Sequence, residues 1–463
     1  MPVNSFENYP MSWKPKREEL TRPYYLSLAN MLEREIAEGK LKAHTKLPPQ
    51  RELADFLDLN LSTITRAYKV CELKGLLYAV TGSGTFVSSG VHSADTFIEK
   101  KNRYIEMGMI KPVYETNGLV LEAAQSILGH ADAVGLFEYN SPLGTDRQLA
   151  AAVRWLQKYN VNVEKYGVMI AAGAQNALSV ILISLFQAGD KIAVDEFTYT
   201  NFKGLANLLH IQLIAVCADE YGMQPSALAA LCKNSEIQGV YLMPTCSNPT
   251  SIFMPQNRRK ELAEVVRQYG LLVIEDDIYS FLAPPDTESF FSIMPKQTIH
   301  ICSLSKSLCA GVRVAFVAFP EQYRDRLVSG MLNINLKTVS FNAEIIAELI
   351  DSGKADEIVK RKIEVAEQRN QIYKAFFPVE EGKIARFFHW VRLPEKLTSE
   401  EAELVALQKG VHILGSHRFQ QGNQNNAAYV RLSIISPDTE EELSHALEIL
   451  RKILREPQVS FLV

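Results

Sequence analysis

Apolar positions in the first ninety residues recur at helical spacing. Over residues 23–38 (PYYLSLANMLEREIAE) Leu28, Met31, Leu32 and Ile36 share a face, and Gly39 is placed to end the helix. A second helix is predicted from Pro48-Pro49 through Leu57, with Leu53, Ala54, Phe56 and Leu57 facing inward. Asn60 is suited to cap a third, running through Lys74 to Gly75. Its apolar stripe is Ile64, Ala67, Tyr68 and Cys71, which leaves Thr63, Arg66 and Lys69 on other faces. LLYAVTGSGTFV then predicts two short strands around Gly82-Ser83-Gly84. From Ser88 to about Lys111 the pattern fades into an expected linker, partly helical over DTFIEKKNRYIEMG.

Past residue 112 the pattern changes. GLVLEAAQSIL reads as a helix, and FEYNSPLGTDRQLAAAVRWL as a turn around Gly144 leading into an amphipathic helix. Short apolar runs follow at 168–170, 240–243 and 271–274, and helical stretches separate them. This is the pattern of a mostly parallel sheet covered by helices. Residues 299–316 (IHICSLSKSLCAGVRVAF) predict a strand, a short polar turn and a strand. A long helical region through Phe376 precedes a smaller α/β part with strands in FFHWVRL, VHILG and YVRLSII and an acidic last helix. The expected organisation is α/β throughout: a three-helix unit with a hairpin at 15–88, a linker at 89–111, and a large domain at 112–463 whose small subdomain begins at about 340.

Composition narrows the class. With 463 residues, 47% hydrophobic and 22% charged, the chain can bury sizeable cores. It has no apolar run near the length of a membrane span, and its first twenty residues lack the apolar stretch of a signal peptide. The expectation is a cytoplasmic protein with no membrane partner. Six cysteines (71, 217, 232, 246, 302 and 309) include no C-x-x-C pair and read as reduced thiols, with no metal site expected. Net charge is −4, with a slight basic excess confined to the first ninety residues.

The candidate chemistry sits where apolar runs end, because open α/β sheets bind ligands beyond the carboxyl ends of their strands. Val168-Met169-Ile170 leads into Gly173-Ala174-Gln175, a small-residue turn opening a helix, whose free N–H groups suit an anion. Val240–Met243 leads toward Asn248. Leu271–Ile274 ends in Glu275, Asp276 and Asp277, with Tyr279 close behind. Ser303, Ser305 and Lys306 follow the next run, with Arg313 seven residues after the lysine. A lysine held dry has a lowered pKa and attacks aldehydes, and two serines with an arginine suit a phosphate dianion. At the N-terminus, helix, helix-turn-helix and a Gly-tipped hairpin form the plan of a winged helix, which places its third helix in the DNA major groove.

The ordered set of strand ends resembles the fold-type I aminotransferases over roughly residues 105–460. The resemblance implies pyridoxal 5′-phosphate (PLP) as cofactor. Lys306 would form the internal aldimine and shuttle a proton. Asp276, selected over Glu275 and Asp277 by the family pattern D-x-x-Y, would pair with the ring nitrogen. Tyr279 and Asn248 would donate to the ring's phenolic oxygen. Gly173, Ala174, Gln175, Ser303, Ser305 and Arg313 would hold the phosphate, Tyr199 would stack on the ring, and Arg431 would take a substrate carboxylate, with Asn248 beside it. Tyr139 would reach the phosphate of a neighbouring subunit, which implies a homodimer. Four positions depart from the family pattern: Phe197 before the stacking tyrosine, Ser251 after Asn248-Pro249-Thr250, Ala310 after the lysine, and Ala385-Arg386 near the substrate entrance.

The first ninety residues resemble the GntR class of bacterial regulators through LP-x-x-RELA, T-[IV]-x-RAY and G-x-GTFV. The carry-over makes Arg51, Thr63, Thr65 and Arg66, with the wing residues Ser83 and Thr85, DNA-facing, and Lys69 on the third helix is expected to add general affinity for DNA. Leu61 stands where that class commonly has arginine. A winged helix joined to an aminotransferase-like domain resembles the MocR/GabR regulators. That implies a PLP-dependent transcription factor that binds promoter half-sites and senses PLP, or an amino acid or amine, through aldimine formation. The alternative is a working aminotransferase of α-amino acids, of kynurenine or aminoadipate type, carrying an accessory DNA module.

Overall fold

The computed structural model describes residues 11–455 apart from 38, 43, 74–75, 81–83, 89–103, 131–132, 378–383 and 423–426. The chain divides into two compact units, Met1–Asn102 and Arg103–Val463.

In the first unit, α1 (Tyr24–Ala37), α2 (Gln50–Leu57) and α3 (Leu61–Leu73) precede an antiparallel hairpin of β1 (Leu77–Val80) and β2 (Gly84–Val87). Leu28, Met31, Leu32 and Ile36 of α1 meet Leu53, Ala54 and Leu57 of α2 and Ile64, Ala67, Tyr68 and Cys71 of α3 in one buried core. Phe56 is only partly buried against it, contrary to its expected inward position. Gly39 adopts a left-handed conformation and its N–H bonds Ile36 O, which closes α1. Asn60 Oδ1 accepts from Ser62 N–H at 3.0 Å and caps α3. Tyr78 and Phe86 stack across the hairpin at 5.5 Å. The expected end of α3 at Lys74-Gly75, the hairpin tip with Gly82 and Ser83, and linker residues 89–103 lie outside the described residues.

The second unit begins with a departure from expectation. Ile105–Glu106 form β3, and residues 104–111, read from sequence as the end of a partly helical linker, pack into this unit with Met107 fully buried. The large sheet comprises β4 (Val168–Ala171), β5 (Lys191–Asp195) and β6 (Gln212–Val216). After a small hairpin, β7 (Ala218–Asp219) and β8 (Gly222–Met223), come β9 (Gly239–Leu242), β10 (Leu272–Asp276), β11 (Thr298–Ser303) and β12 (Ala315–Ala318). Its order is β4-β12-β11-β10-β9-β5-β6, and β12 alone runs against its neighbours. Helices cover both faces, so the central strands are buried on each side and read as unbroken apolar runs.

The segment after β11 is not an open turn. Leu304–Ser307 make a single helical turn, so Lys306 is carried on a helix. The smaller sheet has β13 (Phe388–Arg392), β16 (Tyr429–Ser433) and β15 (Leu414–Gly415) in that order. VHILG is not one strand: β14 (Val411–His412) leaves this sheet to pair in parallel with β3. Arg431 lies in the middle of β16, opposite Trp390 and Leu414.

Candidate functional site

The acidic run closing β10 shows how the fold sorts similar residues. Successive strand residues point to opposite faces. Glu275 accepts from Phe290 N–H and Phe291 N–H and faces His300 Nδ1 at 2.9 Å. Burial alone would raise its carboxyl, but the charge and hydrogen bond of His300, with the charge of Arg259, hold it low. His300, despite burial, is pushed up to about 10 by Glu275. Asp277 accepts from Thr245 Oγ1 at 2.9 Å, and burial pushes it up. Asp276 stands apart. It is 2% exposed, its Oδ2 accepts from Tyr241 OH at 2.7 Å, and its Oδ1 has no partner. Burial pushes it up to about 7, against the lowering pull of the Tyr241 hydrogen bond.

Lys306 is the second focus. Its ammonium donates to Ile110 O and is pushed down to about 7 by burial first, then by the positive charges of Arg431, Lys362 and Arg313. Buried Lys362, from the long helix Lys354–Phe376, donates to Leu308 O at 2.6 Å and Lys306 O at 3.3 Å, which ties off the helical turn. Burial lowers Lys362 to about 8.

Arg431 is 5% exposed. It donates to Asn248 Oδ1 at 2.5 Å and to Gly108 O at 2.6 Å, and lies over the Phe419 ring at 4.8 Å. Its Nε has no partner, and burial lowers its guanidinium to about 10. Gly108 is fixed in turn by Glu106, which accepts from Gly108 N–H, Met109 N–H and His412 Nδ1. Tyr279 is buried among Phe281, Phe387 and Phe388, with its hydroxyl unpartnered. Burial raises Tyr199, with Asp276, Arg431 and Arg313 all close enough to act on it.

An anion cradle completes the set. Gly173 opens the helix Ala174–Leu185 with a left-handed φ of 86°, and a Cβ there would come within 2.6 Å of the Arg313 guanidinium. Only glycine fits. Arg313 donates to Ser305 Oγ at 3.3 Å, Ser303 Oγ accepts from Ser305 N–H, and Gln175 Oε1 is buried without a partner. Tyr139 is not brought to this cluster within the chain; it is 89% exposed. The sequence reading missed Tyr241, Lys362, and the carbonyls of Gly108 and Ile110. A tyrosine inside the aliphatic run of β9 was the one visible signal; nothing near Lys362 distinguishes it.

The open polar atoms of Asp276, Tyr279 and Arg431, beside a depressed lysine and the Gly173–Arg313 anion cradle, fit PLP. The fold and site thus define a PLP-dependent domain of the aminotransferase class.

On the first unit, Arg51, Thr65, Arg66 and Lys69 are exposed, Thr63 and Thr85 half-buried, and Leu61 opens α3 exposed. Thr65 donates to Gln50 Oε1 at 2.8 Å and joins α2 to α3, while Lys69 reaches Glu72 at 3.3 Å. Arg51 and Arg66 make no hydrogen bond or ion pair among the described residues.

Comparison with known proteins agrees with both units. The family "Aminotransferase class I and II" matches residues 111–450, and "Bacterial regulatory proteins, gntR family" matches residues 24–87. An uncharacterized HTH-type transcriptional regulator of Bacillus subtilis, YdeF, is 40% identical, covering 98% of this chain and 99% of its own. The 2-aminoadipate transaminase of Thermus thermophilus is 28% identical over 69% of this chain and 82% of the enzyme. The structure of the Thermus thermophilus alpha-aminoadipate aminotransferase LysN, complexed with N-(5'-phosphopyridoxyl)-L-leucine, is similar with a TM-score of 0.69 at 25% identity, covering 76% of this chain and 92% of its own. The chain belongs to the HTH-type transcriptional regulators of MocR type, in which a GntR winged helix is joined to an aminotransferase class I and II domain. Its cofactor is PLP and its winged helix binds DNA. Among the described residues, no helix is long and apolar enough to cross a membrane.

Proposed function

We propose that this regulator reads an amino acid or amine at the Lys306 site and answers through its winged helix. The observation that carries the reading is the pairing of a lysine held near neutrality with a buried, partly unsatisfied arginine in one site. PLP, when bound, supplies an aldehyde that amines capture and a ring that draws electrons. Lys306 holds the cofactor through its amine, which is largely neutral at physiological pH and therefore nucleophilic. Asp276 offers its free Oδ1 to the ring nitrogen. Tyr279 and Asn248 serve the phenolic oxygen, and Tyr199 covers the ring face. Gly173, Ala174 and Gln175, with Ser303, Ser305 and Arg313, take the phosphate. Arg431 is placed to grip a carboxylate, which favours an α-amino acid over a simple amine.

The working unit in this proposal is a homodimer. Leu121, Leu128, Val134, Phe137, Tyr139 and Val339 leave apolar surface exposed, which supports burial against a second copy and a role for Tyr139 in the partner's site. On DNA, Arg66 and Thr63 of α3 read bases, while Arg51, Thr65, Lys69 and the wing residues Ser83 and Thr85 position the backbone.

The second reading is a turning-over aminotransferase, favoured by Lys306, Asp276, Tyr199 and Arg431 standing within one neighbourhood. One experiment separates the two. The purified holoprotein is titrated with the twenty amino acids and common amines while the visible spectrum and pyridoxamine phosphate are followed. In parallel, gel shifts use fragments from the gene's own upstream region. A ligand that changes both spectrum and gel shift supports the regulator. Ordinary turnover, with binding to those fragments no better than to random DNA, supports the enzyme.

A further inference from the structure

We propose that Tyr241 is a positioning residue for the cofactor ring: its hydroxyl holds Asp276 Oδ2, so that the carboxylate stays ionised with Oδ1 turned to the ring nitrogen. The proposal rests on the reading of the Lys306 site and adds a residue to it.

Tyr241 lies in β9, next to β10, on the same face as Asp276: it pairs with Ile274, two residues before the aspartate. Tyr241 OH to Asp276 Oδ2 measures 2.7 Å. The tyrosine ring is clamped against Phe202 in a parallel stack with centroids 3.8 Å apart and planes 9° apart, so the hydroxyl has little freedom. Burial first, then Asp276, raises this phenol far above its ordinary range. It therefore remains a donor throughout the pH range in which the carboxyl titrates.

The other ionisable groups acting on Asp276 do not substitute for it. Asp277, its chain neighbour, pushes the carboxyl up, and His300 on β11 pulls it down, but His300 gives its nearest hydrogen bond to Glu275. Tyr199 and Tyr279 lie close enough for their own titration to feel Asp276. Asp195 at the end of β5, whose buried Oδ1 is unpartnered, acts on Tyr241 by its charge. Tyr241 is thus the direct hydrogen-bond donor to Asp276 among the described residues. The sign follows: the Tyr241 bond lowers the Asp276 pKa, so its removal raises it. The carboxyl then becomes neutral at a higher pH, and a neutral carboxyl is a poor partner for a protonated ring nitrogen.

The test uses the full-length protein loaded with PLP. The dissociation constant of PLP and the visible band of the bound cofactor are followed from pH 5 to 9 for wild type, Tyr241→Phe and Phe202→Leu. Tyr241→Phe removes one oxygen and keeps the ring. It is expected to move the midpoint of the pH profile up by about one unit, and to weaken PLP about fivefold at the wild-type midpoint and about tenfold a unit or more below it. Phe202→Leu loosens the clamp without removing the donor and is expected to move the midpoint by less than Tyr241→Phe does. In an Asp276→Asn background the Tyr241→Phe effect on the dissociation constant is expected to vanish. Coincident midpoints for Tyr241→Phe and wild type, an equal shift in Phe202→Leu, or an undiminished effect beside Asp276→Asn would each overturn the proposal while leaving the site reading intact. Should Tyr241→Phe not fold, Tyr241→Gln, which keeps an N–H donor, takes its place. It is expected to retain the wild-type midpoint, and a shifted midpoint overturns the proposal. Wild type that fails to bind PLP overturns the site reading and this proposal with it.

Discussion

The two units present their candidate functional side chains in opposite ways. On the winged helix, Arg51, Arg66 and Lys69 sit in water. In the second unit, Asp276, Tyr279 and Arg431 are buried, with polar atoms unpaired and ionisation equilibria displaced. The difference follows from the partners. A polyanion is met at the surface, where released counterions supply much of the affinity and solvated cations are inexpensive to keep. A small cofactor must be caught by groups already stripped of water, and an unpaired buried polar atom is destabilising by about 1–3 kcal/mol until something satisfies it. The second unit thus holds stored polar demand, and the first holds mobile charge.

That contrast breaks most sharply at Lys306. Lys306→Ala is expected to lose all borohydride-fixed PLP, read by mass spectrometry; labelling at unchanged stoichiometry would put the nucleophile elsewhere. Next in size is Arg431→Gln. The loss of a bidentate charged contact should cost about 2–3 kcal/mol in amino-acid binding. Decarboxylated amines should be nearly unaffected, and equal weakening of both classes by spectral titration would remove the carboxylate role. A third outcome concerns pH. Since burial lowers Lys306 to about 7, its neutral fraction rises about tenfold per unit below that point and then saturates. The rate of PLP capture should follow that curve and flatten above about pH 7.5; a rate still climbing to pH 10 would mark an ordinary, solvated lysine.

Smaller effects sharpen the comparison. Glu106→Gln should cost about 1 kcal/mol and speed amide exchange at Gly108 and Met109, the backbone that meets Arg431. The Glu106 carboxyl is held below its ordinary value by His412 and two N–H groups, despite burial. Its stabilisation is therefore present above the unfolded carboxyl pKa and is lost as pH falls through the lower folded value. The DNA contacts are of comparable size. Arg66→Ala should cost about 1–3 kcal/mol and relax base discrimination, whereas Lys69→Ala should weaken all sequences alike and lower the salt slope by about one. Identical salt slopes for the two variants would make Arg66 a phosphate contact too.

Legibility followed sequence distance. The winged helix could be read because its stripes, cap and hairpin are local: Ile64, Ala67, Tyr68 and Cys71 announce a buried face within eight residues. The strand ends could be read because apolar runs stop at polar residues, and those ends do meet in space. Long-range pairing was not legible. β3 is two residues long and exists because Val411–His412 lies alongside, some three hundred residues later. No window around Ile105 contains that partner, so a linker was the natural expectation. The helical turn at Leu304–Ser307 was hidden for the same reason, since Lys362, which ties it off, arrives from a distant helix. Tyr241 looked like one more apolar strand residue until its neighbour was known to be Asp276.

The acidic run at the end of β10 behaves as a parity code. Glu275 and Asp277 occupy the odd positions and meet His300, Arg259 and Thr245, while Asp276 occupies the even one and meets Tyr241. Three neighbouring carboxylates of similar chemistry are thus kept apart by the alternation of the backbone where β10 ends. Deleting or inserting a single residue between Leu272 and Glu275 would leave the composition of the run almost unchanged and invert the code. Two acids would then crowd the cofactor side, and one would remain to satisfy a cation network built for two. For this stretch, a frame error of one residue is more damaging than any single substitution within it.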